Sequence, residues 1–445
     1  MLAPVCREWR DRPSGVGVTV FFWNTQSQGF ISDRHYVACM ATRRSFLRRS
    51  GVAVATIGVA GCSSVFGGSE NETTDTPTET GTETSWRNSE SYIASIRRNI
   101  QGRPVVAGDL VYVVETHGDL YALDRESGSV EWRFEMDGTV QAPTVTGDVV
   151  YTGDYGPGAT SNEIRESNGT AYAVDRHSGE AIWETDVSGM PLNTPVVRDD
   201  VVHYAALDDG VHTLATEDGA QNWSHTFDQG SLFITEPVVM DGALFATNRR
   251  GVFALDLAAQ ETYWTSDPIE YTNDPLATDS DWLYVAATTG VKALSFDTGD
   301  VEWTGESNGT PQDIAVADRV YTCTSNPSEV VAFDPAMGSK AWGESITGDP
   351  AGLLLDDGTL YVATYDYTFN TGRLHVLDTE EETLASEISF TVESEGELEM
   401  GSPPAVEDGL CYVGDAAGNV YAIDIDDESV HWQTTPHEAT PTGDS

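Results

Sequence analysis

One sequence phrase returns eight times along the chain and constrains the fold more than any other feature. It runs from Gly118 to Trp132, from Gly169 to Trp183 and from Gly418 to Trp432, with looser copies ending at Trp223, Trp264, Trp303 and Trp342. The remaining copy, the seventh in chain order, runs from Gly372 to Asp378 and has Ser386 in the place of the tryptophan. A period of roughly 40 residues, rich in β-formers and broken by turn residues, is typical of a β-propeller blade.

The first copy indicates how one blade is built. A tight-turn signal at Gly108-Asp109 separates two short β-forming runs, and two further turns, near Gly118 and at Glu126-Ser-Gly128, separate the next two. Proline stands at the start of the first run, where a missing N–H is tolerated best. We therefore predict an all-β, eight-bladed propeller of four-stranded antiparallel blades over residues 104–435.

The spacing of the phrase also predicts how blades pack. The tryptophan of the outer strand should lie over the glycine backbone of a neighbouring blade, and the aspartate should accept hydrogen bonds from turn amides. We assign these structural roles to Trp132, Trp183, Trp223, Trp264, Trp303, Trp342, Trp432, Asp124, Asp175, Asp256, Asp334, Asp378 and Asp424. Some copies depart from the pattern, since Gln260 replaces a glycine and the seventh copy lacks both glycine and tryptophan.

At these residues the chain resembles the pyrroloquinoline-quinone-type propeller repeat, over about Arg103 to Thr435. Quinoprotein dehydrogenases and BamB-type lipoproteins share this repeat. The first group implies an oxidoreductase that binds pyrroloquinoline quinone with calcium, and the second implies a scaffold without a cofactor. Dehydrogenases of this family commonly place two adjacent cysteines against the quinone, whereas this chain has only Cys323 and Cys411 after Cys62. We expect no disulfide between them, because they fall on blades that are not neighbours.

The segment before the propeller resembles an export signal. Arg43, Arg44, Phe46 and Leu47 resemble a twin-arginine motif, and an apolar run leads to Cys62, which resembles the lipidated cysteine of a lipobox. We assign 1–39 as a mis-assigned start or leader, 40–61 as the signal, 62–85 as an acidic Thr-rich tether, 86–103 as a lead-in and 436–445 as a disordered tail. The expected location is the outer face of the cytoplasmic membrane.

The net charge of the chain limits the environments and the partners that we expect for it. There are 72 Asp and Glu against 23 Lys and Arg, a net charge of −49, and Lys292 and Lys340 are the only lysines. This composition resembles that of proteins from halophilic archaea, in which molar salt screens the self-repulsion. The negative field argues against nucleic acid as a partner.

Other candidate sites have weaker signals. His203 and His212, on adjacent strands, are a candidate metal pair, and the acids from Asp424 to Glu428 are either a cation site or a solvated turn. Asn71, Asn168, Asn222 and Asn308 begin sequons for glycosylation. We assign no metal ligand and no catalytic residue, because motifs for nucleophilic hydrolases, nucleotide binding and zinc proteases are absent from the sequence.

Insertions into the repeat suggest where binding occurs. The longest are Asp154–Asn168, Tyr365–Thr371 and Ser389–Ser402, and all three should rise on one face of the disc. The sequence thus favours a monomeric, non-catalytic scaffold for an unidentified protein or cell-surface partner. The alternative is a quinone- or metal-dependent oxidoreductase, which would need acids, an Arg or Lys and an aromatic platform converging at the central channel.

Overall fold

A computed structural model shows how the repeat folds. It describes residues 99–100, 102–116, 118–136, 142–154, 168–189, 193–206, 210–226, 236–248, 251–269, 271–392 and 401–441. The predicted leader, export signal and tether, and most of the lead-in, lie outside these ranges. So do the last four residues of the predicted tail.

The described chain forms eight sheets, each built from four consecutive antiparallel strands. Blades one to four comprise β1 Val105–Ala107, β2 Leu110–Val114, β3 Asp119–Asp124, β4 Val130–Glu135, β5 Thr144–Thr146, β6 Val149–Asp154, β7 Gly169–Asp175, β8 Ala181–Val187, β9 Val196–Arg198, β10 Val201–Ala206, β11 Gly210–Ala215, β12 Gln221–Thr226, β13 Val238–Met240, β14 Ala243–Asn248, β15 Gly251–Asp256 and β16 Glu261–Thr265. Blades five to eight comprise β17 Tyr271–Thr278, β18 Trp282–Ala287, β19 Gly290–Ser295, β20 Val301–Glu306, β21 Thr310–Val316, β22 Val320–Ser325, β23 Glu329–Phe333, β24 Lys340–Ser345, β25 Asp349–Asp356, β26 Thr359–Asp366, β27 Thr371–Asp378, β28 Thr383–Thr391, β29 Ala405–Glu407, β30 Leu410–Gly414, β31 Val420–Asp424 and β32 Ser429–Thr434. The predicted eight-bladed propeller is confirmed.

A bulge recurs between the third and fourth strands of every blade. In blade one, Ala122 pairs with Trp132 but Leu123 pairs with Val130, so Glu131 is left over. The same register shift occurs in the other seven sheets. Because a bulge re-aims the neighbouring side chain, this local defect fixes the direction of the residue at the tryptophan position.

The tryptophan of one blade packs on the turn between the third and fourth strands of the next. The Trp132 indole N–H donates to the Arg176 carbonyl at 2.9 Å, and its ring leaves room for nothing larger than hydrogen on Gly179. Tyr112 of the same blade supports the indole, with ring centroids 5.9 Å apart. The equivalent contacts join Trp183 to Gly219, Trp264 to Gly299, Trp303 to Gly338 and Trp432 to Gly128.

Three interfaces lack this tryptophan–glycine contact. Gln260, Glu382 and Glu428 occupy the glycine position in blades four, seven and eight, and they keep the positive φ of the turn, at 59°, 55° and 49°. Trp223 and Trp342 precede the first two of these turns and are only half-buried, while Ser386 precedes the third. The docking contact therefore requires both a tryptophan on the fourth strand of one blade and a glycine in the turn of the next.

The six aspartates assigned to turns all accept hydrogen bonds from backbone N–H groups. In blade two, Asp175 Oδ1 accepts from the Ser178 amide at 2.8 Å and from the His177 amide at 3.1 Å. The other five turns have the same kind of bond, made by Asp124, Asp256, Asp334, Asp378 and Asp424. These bonds replace the strand ladder where the chain reverses.

In the described ranges, blades one and eight close the ring without exchanging a strand. The inner strands β1 and β29 contact each other, and Trp432 docks on blade one as described. Ile100 enters blade eight, where its N–H donates to the Asp415 carbonyl at 3.1 Å and its side chain fills the space above Gly414. Arg125 and Asp408 add an ion pair at 3.0 Å. Side chains and short backbone contacts thus hold the seam.

The apolar core is divided into clusters between neighbouring sheets. Cys323 and Cys411 are buried in two of these clusters and no disulfide joins them, as we expected. Within the described ranges, there is no helix whose length and hydropathy would let it cross a membrane.

Candidate functional site

Charged side chains from three distant parts of the chain meet at the inner strands. Arg103, just before β1, forms an ion pair with Asp313 of β21, with Nη2 and Oδ2 3.3 Å apart. The same guanidinium donates to the carbonyls of Leu353 at 2.9 Å and Pro404 at 2.5 Å. One side chain of blade one therefore contacts blades eight, seven and six.

Asp313 is the anionic end of this arrangement and is almost fully buried. Its carboxylate accepts the amides of Leu353 at 2.9 Å and Ile314 at 2.8 Å. Burial nevertheless raises the pKa of Asp313, against the attraction of Arg103. Gly352 makes the approach between blades possible, because a Cβ there would lie 2.8 Å from Asp313 Oδ2.

Glu236, just before β13, lies within electrostatic range of this pair. Reduced access to solvent raises the pKa of Glu236 to about 7, Asp313 adds to the rise and Arg103 opposes it. Water still reaches the exposed Glu236, so solvent screens part of this effect. The axis therefore carries the Arg103–Asp313 ion pair and, beside it, the carboxyl group of Glu236, whose pKa is raised above that of a free glutamate.

The described residues around the axis do not fit pyrroloquinoline quinone with calcium. Arg103, Glu236 and Asp313 supply the basic and acidic groups, but both terminal nitrogens of Arg103 are already engaged by Asp313 and by the carbonyls of Leu353 and Pro404. The matching positions on the inner strands of blades two, three, seven and eight are Ala142, Thr194, Gly352 and Pro403. None of them supplies the aromatic platform that such a site requires, so we derive no quinone chemistry here.

The hairpin formed by the second and third strands of blade seven is long. It lies on the face of the disc that carries the loops between second and third strands. Strands β26 and β27 have eight residues each, whereas the corresponding strands of the other blades have five to seven. At its tip, Tyr367 is 50% exposed and Phe369 is 72% exposed. Two large aromatic rings therefore face solvent at the tip of the blade-seven hairpin.

Specific contacts fix the shape of this tip. Asp366 Oδ1 accepts the Thr368 amide at 2.9 Å, and its Oδ2 lies 3.0 Å from Arg373 Nη1. Asn370 donates through Nδ2 to the Val392 carbonyl at 2.8 Å and accepts a hydrogen bond from the Tyr365 hydroxyl. The rings at the tip are therefore presented by a braced turn, which lowers the entropy that a partner must remove on binding.

The other two predicted insertions are described only at their ends. Asp154 is buried and accepts the Tyr172 hydroxyl at 2.7 Å and the Thr170 amide at 3.1 Å. Ser402 is buried and its Oγ accepts the Gly414 amide at 2.7 Å. Residues 155–167 and 393–400 lie outside the described residues, so both loops remain sequence predictions.

The candidate histidine pair is wrong as a metal site. His203 pairs with Thr213, and Tyr204 pairs with His212, so the two histidines lie on opposite faces of the same sheet. They cannot bind one ion. In the part of the chain that the structure describes, no group of three or more His, Cys, Asp or Glu is arranged to hold a metal.

The remaining predicted sites lie in turns or outside the described residues. Asp424 Oδ1 accepts the Asp427 amide at 2.9 Å in an exposed turn. Asn168, Asn222 and Asn308 are exposed, as a glycan would require. The residues of the export signal, Cys62 and Asn71 are not among the described residues.

Sequence reasoning did not single out several residues that now stand out. The inner strands lie outside the repeat phrase, and the phrase therefore gives no charged position to look for there. Three charged residues come before or inside these strands: Arg103, Glu236 and Asp313. Tyr367 and Phe369 fall within a predicted insertion, and their aromatic character was the available signal.

Comparison with known proteins agrees with this architecture. The family described as outer membrane protein assembly factor BamB matches residues 75–165, 159–240, 229–353 and 326–443. BamB of Yersinia pestis is 23% identical over 339 residues, covering 72% of this chain and 84% of that protein. A polyvinylalcohol dehydrogenase of Sphingopyxis is 22% identical over 60% of this chain and 48% of the enzyme.

A solved relative shares the fold. The crystal structure of BamB from Moraxella catarrhalis superposes with a TM-score of 0.52 at 17% identity, covering 75% of this chain and 96% of that one. Since the family match extends over four consecutive segments from residue 75 to residue 443, the chain belongs to the BamB family of β-propellers.

Proposed function

We propose that this protein is a non-catalytic binding scaffold that assembles a protein or cell-surface partner. The observation that carries the proposal is the blade-seven hairpin, which presents Tyr367 and Phe369 on a braced turn. Exposed aromatic groups on a rigid support are typical of binding hot spots. The BamB relatives are named as assembly factors, and we carry over the scaffold role without the outer membrane as its place of action.

The proposed setting is the outer face of the cytoplasmic membrane. Its support is the order of sequence motifs, with Arg43 and Arg44 followed by an apolar run and Cys62. The net charge of −49 adds the proposal of a high-salt environment, because screening reduces the repulsion between carboxylates. A partner that docks on such a surface should be neutral or basic.

Lipid anchoring depends on the thiol of Cys62. We expect Cys62→Ser to release the protein from membranes or to block its processing, while replacement of Arg43 and Arg44 by lysine should stop export. Cell fractionation and intact mass measure both effects, with Cys411→Ser as the control because that buried thiol is remote from any signal. Unchanged mass and membrane retention of the Cys62 variant would contradict the anchor.

Partner capture should depend on the aromatic rings of the hairpin. We expect the double variant Tyr367→Ser and Phe369→Ser to recover at least tenfold less partner than the native protein, since hot-spot aromatics contribute about 2 kcal/mol or more each. The measurement is a pull-down from native membranes in molar KCl, quantified by mass spectrometry. Urea unfolding should change little, because Phe369 is 72% exposed and Tyr367 is 50% exposed.

Met337→Ser is the matched control for this experiment. Met337 is 69% exposed and also stands in a turn closed by an aspartate, Asp334, but on the opposite face of the disc. Equal recovery by all three proteins would contradict the role of the hairpin. Stoichiometric binding of pyrroloquinoline quinone with calcium, together with reduction of an artificial electron acceptor, would replace the scaffold by the oxidoreductase alternative.

A further inference from the structure

A cavity of about 580 Å³ lies between blades three and four. It opens at one of the interfaces that lack the tryptophan–glycine contact. Its wall includes Trp223 and Leu257, and its lining also includes His203 and Thr213. The volume lies within the range of small-molecule sites, about 300–1,000 Å³.

Two substitutions in the repeat explain why space remains there. Six other blades carry tyrosine at the position of His203, namely Tyr112, Tyr151, Tyr284, Tyr321, Tyr361 and Tyr412. In blades one, two, five and eight this tyrosine packs against the tryptophan of its own blade. The smaller imidazole of His203, together with Gln260 in place of the docking glycine, leaves Trp223 half-buried and the interface unfilled.

The cavity contains hydrogen-bonding groups that the protein does not satisfy. His203 is only 4% exposed, and its Nδ1 is buried without a partner. The indole N–H of the half-buried Trp223 makes no hydrogen bond to a described residue, whereas those of the five docked tryptophans donate to carbonyls of the next blade. Buried polar groups without partners are rare in folded proteins, because each costs about 1–3 kcal/mol.

The chemistry of these groups selects the ligand class. Burial lowers the pKa of His203 to about 4, against a smaller opposing effect of Asp199, so the imidazole is neutral near pH 7. The charged residues that line the cavity are of both signs, Arg198, Asp199 and Asp241, and the net charge of −49 disfavours anions. Trp223 can donate one hydrogen bond and His203 can accept one, and both belong to flat rings. A carbonyl oxygen and an N–H group on one planar molecule complement them.

We propose that the cavity between blades three and four binds an uncharged planar heteroaromatic molecule that carries a cyclic amide. The carbonyl oxygen of the ligand accepts from Trp223 Nε1, its N–H donates to a nitrogen of His203, and its ring lies against the indole. This site is independent of the blade-seven hairpin and of the axis. A negative result for this site would therefore not affect the proposed scaffold role, and the reverse also holds.

The test uses 2-quinolone as the probe, with calorimetry in molar KCl. We expect saturable binding at one site per chain, and at least tenfold weaker binding of 1-methyl-2-quinolone, which lacks the N–H group. His203→Tyr restores the residue that most blades carry and should fill the cavity, so it should reduce the affinity for 2-quinolone at least tenfold. Tyr151→Phe, at the same position of blade two, is the control and should bind as the native protein does.

A second variant tests the same site if His203→Tyr does not fold. Trp223→Leu removes the indole donor and the stacking surface, and it should also weaken 2-quinolone binding at least tenfold. Absence of saturable binding to the native protein would overturn the proposal. Equal affinity of the native protein and of whichever variants fold would also overturn it.

Discussion

Replacement of Gly179 by alanine should destabilise the propeller far more than the same replacement of Gly147, although both glycines lie in turns of blade two. The two residues have similar positive φ values, 72° and 61°, so both variants incur a backbone penalty of about 1 kcal/mol. A Cβ on Gly179 would also lie 2.7 Å from the Trp132 ring, whereas a Cβ on Gly147 would meet nothing within 4 Å. Displacement of the indole adds about 1–3 kcal/mol.

Urea unfolding in molar KCl measures both variants, with the denaturant slope checked for a single transition. The free energy of unfolding should fall by about 1 kcal/mol for Gly147→Ala and by about 2–4 kcal/mol for Gly179→Ala. The difference between the two reports the tryptophan–glycine contact itself. Equal losses would mean that this contact does not stabilise the interface between blades.

Removal of the Arg103 side chain should produce the second large effect. Arg103→Ala leaves the buried carboxylate of Asp313 without its counter-ion and frees the carbonyls of Leu353 and Pro404. Breaking a buried ion pair from one side typically costs about 3 kcal/mol or more. The expected result is a loss of about 3 kcal/mol in the free energy of unfolding at neutral pH, measured as above.

Arg125→Ala is the matched control, because Arg125 is an arginine at the same seam between blades one and eight. Its partner, Asp408, is 70% exposed, and exposed pairs contribute less than about 1 kcal/mol. If the two variants lose the same stability, the axial arrangement of Arg103 has no special role in holding the ring together.

The repeat was sufficient to predict the architecture. The spacing from glycine to tryptophan encodes turns, strand lengths and a contact to the next blade, and all of these are local in sequence or repeat at a fixed period. The eight blades, the four strands in each and the five tryptophan–glycine contacts follow from that regularity. The turn aspartates follow for the same reason, since each bonds amides two or three residues ahead.

What escaped prediction depends on contacts between distant segments. Arg103 meets Asp313 across 210 residues of chain, and no periodic pattern links the two. The cavity required knowing that His203 of blade three faces the blade that carries Gln260, a joint departure that looks like two unrelated irregularities in the sequence. The candidate His203–His212 pair failed because adjacent strands alone do not fix which face a side chain occupies; the register does.

The seam between blades one and eight gives the ring a defined response to tension. Asn99 and Ile100 are the first described residues of the propeller, and among the described strands none of blade eight is shared with blade one. A pulling force applied at Asn99 would therefore load the contacts of Ile100 and then those of Arg103 before it loads a four-stranded sheet. Such a ring would open first at the seam between blades one and eight, while each four-stranded sheet remained intact.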